Sequence, residues 1–109
     1  MRVGIDLGTT YCAIAYVDPK NGQAKVIRNS EGSPVTPSVL YFDPNGAVLH
    51  GEEAKSYLEE GSERTVNYFK YHMGDDTYSI FQNGREYTAT DLSAELLKGI
   101  VREAEDAVG

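Results

Sequence analysis

The sequence predicts an α/β fold with three parts: an antiparallel three-strand meander, a small α+β region and a C-terminal amphipathic helix. Three observations support this prediction. Apolar residues alternate with small or polar residues at the start of the chain, turn residues separate short apolar runs in its middle, and apolar residues recur at helical spacing near its end. The chain has 109 residues, of which 40% are hydrophobic and 25% charged, as in a soluble domain of modest size.

The first part of the chain alternates strands with tight turns. Residues 3–7 and 11–17 read as two antiparallel strands because only residues 8–10 separate them. We expect Gly8 to take a positive φ in this turn, a conformation that glycine tolerates. Turn residues follow at positions 18–22, and residues 24–28 complete the meander as a third strand.

The middle of the chain predicts short elements separated by turns. Residues 29–38 read as a loop because they are rich in small residues and contain Pro34 and Pro37. The other elements are two hairpins, each with an Asn-Gly pair at its turn, and two short helices. Their predicted bounds are 39–42 and 47–50 for the first hairpin, 78–81 and 86–88 for the second, and 52–58 and 65–73 for the helices.

The final segment is the clearest helix in the sequence. Seven apolar residues recur at helical spacing and form one wide stripe: Leu92, Leu96, Leu97, Ile100, Val101, Ala104 and Val108. We expect Thr90 to cap the N-terminus of this helix and Gly109 to end it. A helix after a meander normally leads to another strand beside the first one. The sequence therefore predicts that this polypeptide is a fragment of a larger α/β domain.

Composition excludes several classes of function. The formal net charge of −7 disfavours nucleic acid as a partner, because phosphate backbones select clustered Lys and Arg. The sequence contains no secretory signal pattern and no apolar run long enough to span a membrane. Cys12 is the single cysteine, so it forms no internal disulfide, and its alternation with Ile14 predicts a packed thiol. These features predict a cytoplasmic protein without a membrane partner.

The turn between the first two strands is the candidate binding site. Its backbone N–H groups, together with the hydroxyls of Thr9 and Thr10, would surround a phosphate, and Asp6 stands beside them as a partner for a hydrated metal ion. An acidic side chain that faces inward on an apolar strand is costly without such a partner. An ordinary tight hairpin is the alternative interpretation, because such turns are common.

Five segments of the chain, in matching order, resemble one protein family. Residues 4–11, GIDLGTTY, resemble the first phosphate motif of the actin, sugar-kinase and heat-shock ATPase superfamily. The later segments resemble the seventy-kilodalton heat-shock chaperones within it. These segments are Asn29-x-x-Gly32 with Thr36-Pro37-Ser38, then Gly51-Glu52-Glu53-Ala54-Lys55, then Thr65-Val66-x-x-Phe69-Lys70-x-x-x-Gly74, and finally Leu92-Ser93-Ala94 with the helix that follows.

This resemblance implies the start of an actin-like (ribonuclease H-like) ATPase domain, which holds ATP or ADP with Mg²⁺ in a cleft between two lobes. Asp6 would reach Mg²⁺ through water, and Lys70 would lie near the γ-phosphate and the attacking water. Four consecutive residues would hold the β- and γ-phosphates: Gly8, Thr9, Thr10 and Tyr11. The catalytic residues that the resemblance implies are Lys70, Asp6 and Thr9.

The resemblance also implies a division of the chain and a role for its parent protein. Residues 1–35 would be the first strands of a lower lobe, residues 36–89 a small upper subdomain, and residues 90–109 a helix returning to the lower lobe. The parent would be a chaperone whose ATP hydrolysis controls the binding of unfolded client peptides, with a co-chaperone and a nucleotide-exchange factor as partners. For this chain alone we expect millimolar ATP affinity at best and no turnover. A carbohydrate kinase and a non-catalytic interaction module remain as alternatives.

Overall fold

The computed structural model describes residues 2–108, and within them the chain forms three small antiparallel sheets, two α-helices and one 3-10 helix. The sheets follow one another along the chain, and the longer helix contributes four buried residues to the apolar core that joins them. No helix in residues 2–108 has the length and hydropathy needed to cross a membrane.

The first sheet contains the predicted meander and one additional strand. Its central strand, β2 (Tyr11–Val17), pairs with β1 (Val3–Leu7) on one edge. On the other edge, β3 (Ala24–Val26) pairs with residues 15–17 of β2, and β4 (Thr36–Pro37) pairs with residues 11–12. The two-residue β4 lies inside the segment predicted as a loop, so that prediction is wrong at positions 36 and 37. The pairing of β4 with β2 places the end of this loop directly beside the turn between β1 and β2.

The second sheet is formed by residues 39–67 and is covered by a helix. Its strand order is β6 (Val48–His50), β5 (Val39–Phe42), β7 (Thr65–Asn67). Helix α1 (Glu52–Glu59) connects β6 to the rest of the sheet and confirms the helix predicted at 52–58 within one residue.

The helix predicted over residues 65–73 is wrong. Residues 65–67 form β7, which extends the sheet by pairing with β5 and buries Val66. Tyr68 then takes a left-handed conformation with φ 57°, which ends the strand, and Phe69–His72 form one 3-10 turn. Mixed aromatic and polar residues have weak helix preference, and pairing with a buried strand outweighs it.

The last two elements are a hairpin and the long helix. Strands β8 (Ile80–Gln82) and β9 (Arg85–Tyr87) pair around Asn83 and Gly84, whose φ values of 51° and 77° fit a type I′ turn. Helix α2 runs from Ala89 to Val108.

The cap of helix α2 differs from the prediction. Thr88, rather than Thr90, precedes the helix: its hydroxyl accepts the Asp91 N–H at 3.2 Å, and the Asp91 carboxylate accepts the Thr88 N–H at 3.0 Å. This reciprocal pair satisfies two N–H groups at the helix start. The predicted stop at Gly109 lies outside the described residues.

One apolar core joins the sheets through helix α2. Its buried members come from every part of the chain: Cys12, Ile14, Ile27, Leu40, Phe42, Val66, Phe69, Tyr87, Leu92, Leu96, Ile100 and Ala104. Strand β5 is buried on both faces, because Leu40 and Phe42 face this core while Val39 and Tyr41 face α1. The division of the chain at residues 35 and 89 stays a prediction.

Candidate functional site

The turn between β1 and β2 presents free hydrogen-bond donors to the surface. Within residues 2–108, the backbone N–H groups of Thr9 and Thr10 donate to no protein acceptor. Thr10 is exposed and Thr9 is half-buried, so both N–H groups can exchange water for a ligand oxygen. Adjacent donors of this kind form a concave site for an anion.

Gly8 is required in this turn because of a close contact. A Cβ atom at this position would overlap the carbonyl oxygen of Tyr11. Gly8 is absent from the glycines with positive φ, so the predicted left-handed conformation is wrong. The absence of a side chain lets the backbone of Tyr11 fold back over Gly8, which closes the turn tightly.

Ser38 holds the turn from outside the hairpin. Its hydroxyl donates to the Gly8 carbonyl oxygen at 2.9 Å, and its backbone N–H donates to the Thr10 carbonyl oxygen at 2.9 Å. Because the carbonyl groups of Gly8 and Thr10 are bound from this side, the N–H groups of the turn are not needed to hold it in place. Sequence reasoning noted the Thr36-Pro37-Ser38 segment as part of a resemblance and missed this supporting role, since nothing in local spacing indicates that β4 pairs with β2.

Lys70 lies at the same turn although 62 residues separate it in sequence from Gly8. Its exposed ammonium group donates to the carbonyl oxygen of Leu7, the residue that precedes Gly8. The left-handed Tyr68 and the 3-10 turn after it direct Lys70 away from the second sheet and toward β1. The structure therefore brings one cation to the start of the turn.

Asp6 lies next to this contact but does not face the core. In β1, Ile5 and Leu7 pack against the main core, and Asp6 is exposed on the opposite face. The expectation that its side chain faces inward is therefore wrong. Because the Asp6 carboxylate is exposed, it keeps its hydration, and the cost of burying a charge no longer argues for a metal or polar partner. The carboxylate can contact solvent or a hydrated ion.

A magnesium ion would need ligands beyond this chain's side chains. Within residues 2–108, no group of three or more His, Cys, Asp or Glu residues is arranged to hold a metal ion. Mg²⁺ keeps several of its water molecules and is commonly bound through one or two carboxylates together with substrate phosphates. The exposed Asp6 fits such a water-mediated contact, provided that a phosphate ligand occupies the turn.

Tyr11 and Cys12 begin β2 on opposite faces of the sheet. Tyr11 is 46% exposed and follows directly on the turn, whereas Cys12 is 2% exposed and its thiol donates to the Thr36 carbonyl oxygen at 3.3 Å. Burial raises the pKa of the Cys12 thiol. The predicted packed thiol is confirmed, and the hydrogen bond from Cys12 joins β2 to β4.

Glu103 on α2 anchors the loop that leads to β4. Its carboxylate accepts the Ser30 N–H at 2.7 Å and lies 3.0 Å from His50 Nε2. Burial, the largest single influence, raises the pKa of Glu103, but the hydrogen bonds from Ser30 and His50 together lower it below its ordinary value. These contacts connect helix α2 to the loop at residues 29–38. Ser38, at the end of that loop, supports the turn.

The arrangement as a whole is suited to binding a small polyanion. Residues 6–10 carry two free N–H groups, two threonine hydroxyls and one exposed carboxylate, and Lys70 contacts the same stretch at Leu7. The carboxylate disfavours an anion in the absence of a cation, so a polyphosphate accompanied by a divalent ion is the ligand that uses every group.

Comparison with known proteins identifies the family to which this sequence is similar. The sequence model of the family described as Hsp70 protein matches residues 2–109. The protein named chaperone protein DnaK from Thermotoga neapolitana is 44% identical over 107 residues, and its counterpart from Thermotoga maritima is 45% identical over the same length. The counterpart from Thermosipho africanus is 43% identical. Each alignment covers 98% of this chain but only 18% of the relative.

Proposed function

The chain belongs to the Hsp70 family, and on that premise we propose that it forms the first part of a nucleotide-binding domain that holds ATP or ADP with Mg²⁺. The prediction of this family from sequence motifs is confirmed. Because the chain spans about a fifth of the length of its relatives, the activity of a complete protein is itself part of the proposal. That activity is ATP hydrolysis that controls the binding of unfolded client peptides.

The observation that carries this proposal is the approach of Lys70 to a turn with free N–H groups. Phosphoryl transfer depends mainly on positioning and on stabilisation of charge. Thr9 and Thr10 would orient phosphate oxygens through their N–H and hydroxyl groups, and Lys70 would stabilise negative charge at the start of the turn. Bound Mg²⁺ would neutralise charge on the phosphate oxygens, and Asp6 would hold its water molecules.

The chain by itself supplies one side of such a site. Three or four charge-assisted hydrogen bonds contribute roughly 5–12 kcal/mol in gross terms, and association costs of about 4–15 kcal/mol offset most of this. We therefore expect millimolar affinity for Mg·ATP at best, with no turnover. Isothermal titration calorimetry on the chain measures this, and a low-micromolar dissociation constant would refute the expectation.

The remaining parts of the proposal concern the complete protein and its surroundings. It would act in the cytoplasm and would meet client peptides, a co-chaperone and a nucleotide-exchange factor there. The actin-like arrangement of two lobes around the nucleotide belongs to the same proposal. The antiparallel strands and the amphipathic helix α2 are compatible with the start of such a domain.

A chimera tests the proposed function directly. Residues 1–109 of this chain would replace the homologous segment of the Thermotoga maritima DnaK, to which it is 45% identical. We expect the chimera to hydrolyse ATP in single-turnover experiments, and Lys70→Met in the chimera to slow this step by about 10²-fold, as removal of one charge-stabilising group does in other enzymes. Mg·ATP should also raise the midpoint of thermal unfolding.

The matched control is Lys20→Met, which removes one positive charge from an exposed turn at the opposite end of β2. This variant should hydrolyse ATP at the rate of the unmodified chimera. A folded chimera, judged by circular dichroism, that shows no thermal shift with Mg·ATP would contradict the proposal. Equal rates in the Lys70→Met and Lys20→Met chimeras would contradict the role of Lys70.

A further inference from the structure

His50 and Glu103 connect β6 to helix α2 beside the loop that leads to the turn. The imidazole Nε2 lies 3.0 Å from the Glu103 carboxylate, and both side chains are mostly buried, with 22% and 21% of their surfaces exposed. The two residues are 53 positions apart in sequence. Their contact therefore depends on the packing of α2 against the second sheet.

A glycine inside α2 makes room for the His50 ring. Gly99 lies in the interior of this helix, where glycine costs about 1 kcal/mol relative to alanine. A Cβ atom at position 99 would lie 2.5 Å from His50 Nδ1, so alanine cannot occupy this position unless the ring moves. The residue that is unfavourable for the helix is therefore what allows the imidazole to lie against α2 and reach Glu103.

The charged residues that surround His50 are all acidic. Within residues 2–108, no lysine or arginine lines the cavity of about 200 Å³ beside it, and neither β5 nor β6 carries a charged residue apart from His50. A histidine changes its charge between about pH 5 and 8. Protonation of His50 would make its contact with Glu103 a charge-assisted hydrogen bond, which is stronger than one from a neutral donor. The carboxylates around the cavity come from the loop, α1 and α2: Glu31, Glu52, Glu53 and Glu103.

A series of hydrogen bonds joins Glu103 to the turn through the loop at residues 29–38. The carboxylate accepts the Ser30 N–H at 2.7 Å. The side chain of the preceding residue, Asn29, donates to the Thr36 hydroxyl at 3.0 Å, and Thr36 belongs to β4, which pairs with β2. Ser38 then binds two carbonyl groups of the turn. A change in how firmly Glu103 holds the loop can therefore reach the turn.

We propose that His50 and Glu103 are positioning residues for the turn, and that protonation of His50 tightens their hold on the loop. The inference rests on the proposed function, because the turn receives the same polyphosphate ligand. A turn that is held more firmly loses less conformational freedom when a ligand binds, so its affinity is higher. The pair is strongest where the imidazole is protonated and the carboxylate is ionised, and it weakens as rising pH removes the imidazole proton.

The first test measures the hold on the turn as a function of pH, by NMR of this chain. Hydrogen exchange of the Ser38 amide, corrected for its intrinsic rate at each pH, reports how often the bond to the Thr10 carbonyl opens. We expect its protection to fall by about threefold between about pH 5.5 and about pH 7.5, as for the loss of one partly exposed ion pair. His50→Gln, which keeps a neutral donor, should show no such fall.

Two further variants separate this pair from other effects of pH. The matched control is His72→Gln, because His72 is the other histidine of the chain and stacks on Tyr78 instead of contacting Glu103. It should keep the pH dependence of the unmodified chain. Gly99→Ala leaves both ionisable groups in place but displaces the ring, so it should remove the dependence. The spectrum of each variant also reports whether it is folded.

The second test uses inorganic tripolyphosphate with Mg²⁺ as the probe. The dissociation constant of His50→Gln, divided by that of the unmodified chain, should be about two at pH 5.5 and about one at pH 7.5. The ratio cancels the protonation of the probe itself. If His50→Gln keeps the pH dependence of the unmodified chain in exchange and in binding, the inference is overturned and the phosphate site stands. If tripolyphosphate shifts none of the turn amides in the unmodified chain at either pH, the proposed function fails and the inference fails with it.

Discussion

Two turns of this molecule differ in how their N–H groups are satisfied. The turn at residues 43–46 is closed by its own side chains: Asp43 accepts the Asn45 N–H at 2.9 Å, and Asn45 accepts the Ala47 N–H at 2.8 Å. The turn at residues 8–10 makes no such local bonds. Ser38 and Lys70, which are distant in sequence, hold it instead. A turn that satisfies its own donors is complete without a ligand, whereas one held from outside keeps its N–H groups free.

The largest expected effect comes from the two glycines of these turns. Gly8→Ala should destabilise the chain by about 3 kcal/mol, because the new Cβ overlaps the Tyr11 carbonyl oxygen and the backbone must shift. Gly46→Ala should cost only about 1 kcal/mol, because it adds an unfavourable φ of 94° but meets no atom within 4 Å. Urea unfolding measures both. Equal losses would show that the close contact at Gly8 relaxes freely.

A smaller loss is expected from the side chains that close each turn. Ser38→Ala removes a buried hydroxyl that donates to Gly8 and should cost about 1.5 kcal/mol. Asn45→Ala removes one exposed local hydrogen bond and should cost less than about 1 kcal/mol. Only Ser38→Ala should also speed hydrogen exchange of amides at the start of β2. Unchanged exchange there would mean that β4 pairing alone holds the turn.

Acid titration separates distant from local carboxylate contacts. The pKa of Glu103 is lowered in the folded chain, so its contribution to stability is present above the unfolded value near 4.5 and is lost as the pH falls below it. Partial exposure limits this contribution to about 0.5 kcal/mol. Glu103→Gln should therefore remove part of the stability loss below pH 4.5, measured by urea unfolding at several pH values.

Asp75 provides the local comparison for this titration. The side-chain hydroxyl of Thr77, and then its backbone N–H, lower the pKa of the Asp75 carboxyl. Because these partners are two residues apart, part of this contact persists in the unfolded chain, and stability depends only on the difference between the two states. Asp75→Asn should thus alter the acid dependence less than Glu103→Gln. The reverse order would contradict this reasoning.

The smallest expected effect on stability is that of Lys70→Met. The ammonium group is exposed, so its loss should change the free energy of unfolding by less than about 0.5 kcal/mol. The chemical shift of the Gly8 amide nitrogen should nevertheless change, because it shares a peptide group with the Leu7 carbonyl that Lys70 contacts. Lys20→Met should leave this signal in place. An unmoved Gly8 signal in Lys70→Met would indicate that Lys70 does not occupy this position in solution.

Local patterns in the sequence determined the elements whose interactions are short in range. The alternation at residues 3–7 and 11–17 predicted β1 and β2, and the Asn-Gly pairs predicted both hairpins. The stripe on α2 predicted nearly its full length. The capping residue was misplaced by two positions, because Thr88 and Thr90 are equally good candidates and only the pairing with Asp91 distinguishes them.

Elements that depend on distant partners were not predictable in the same way. Strand β7 was taken for a helix because its pairing with β5 crosses more than 20 residues, and local preference is too weak to decide between the two. Strand β4 is only two residues long and exists because β2 offers it a free edge. The residues of the candidate site were nominated from motifs, whereas the role of Ser38 as the support beneath the turn came from the structure.

The sequence by itself determined which polar groups the turn contains, namely its backbone N–H groups and the hydroxyls of Thr9 and Thr10 beside Asp6, because residue type and spacing along the chain are local properties. Tertiary structure decided that Lys70 reaches Leu7, that Ser38 binds the turn's carbonyl groups, and that Asp6 faces solvent instead of the core. The physical reason is that these contacts form only after distant segments have paired and the core around α2 has packed. Their geometry therefore depends on free energies summed over the whole chain, which no short stretch of sequence contains.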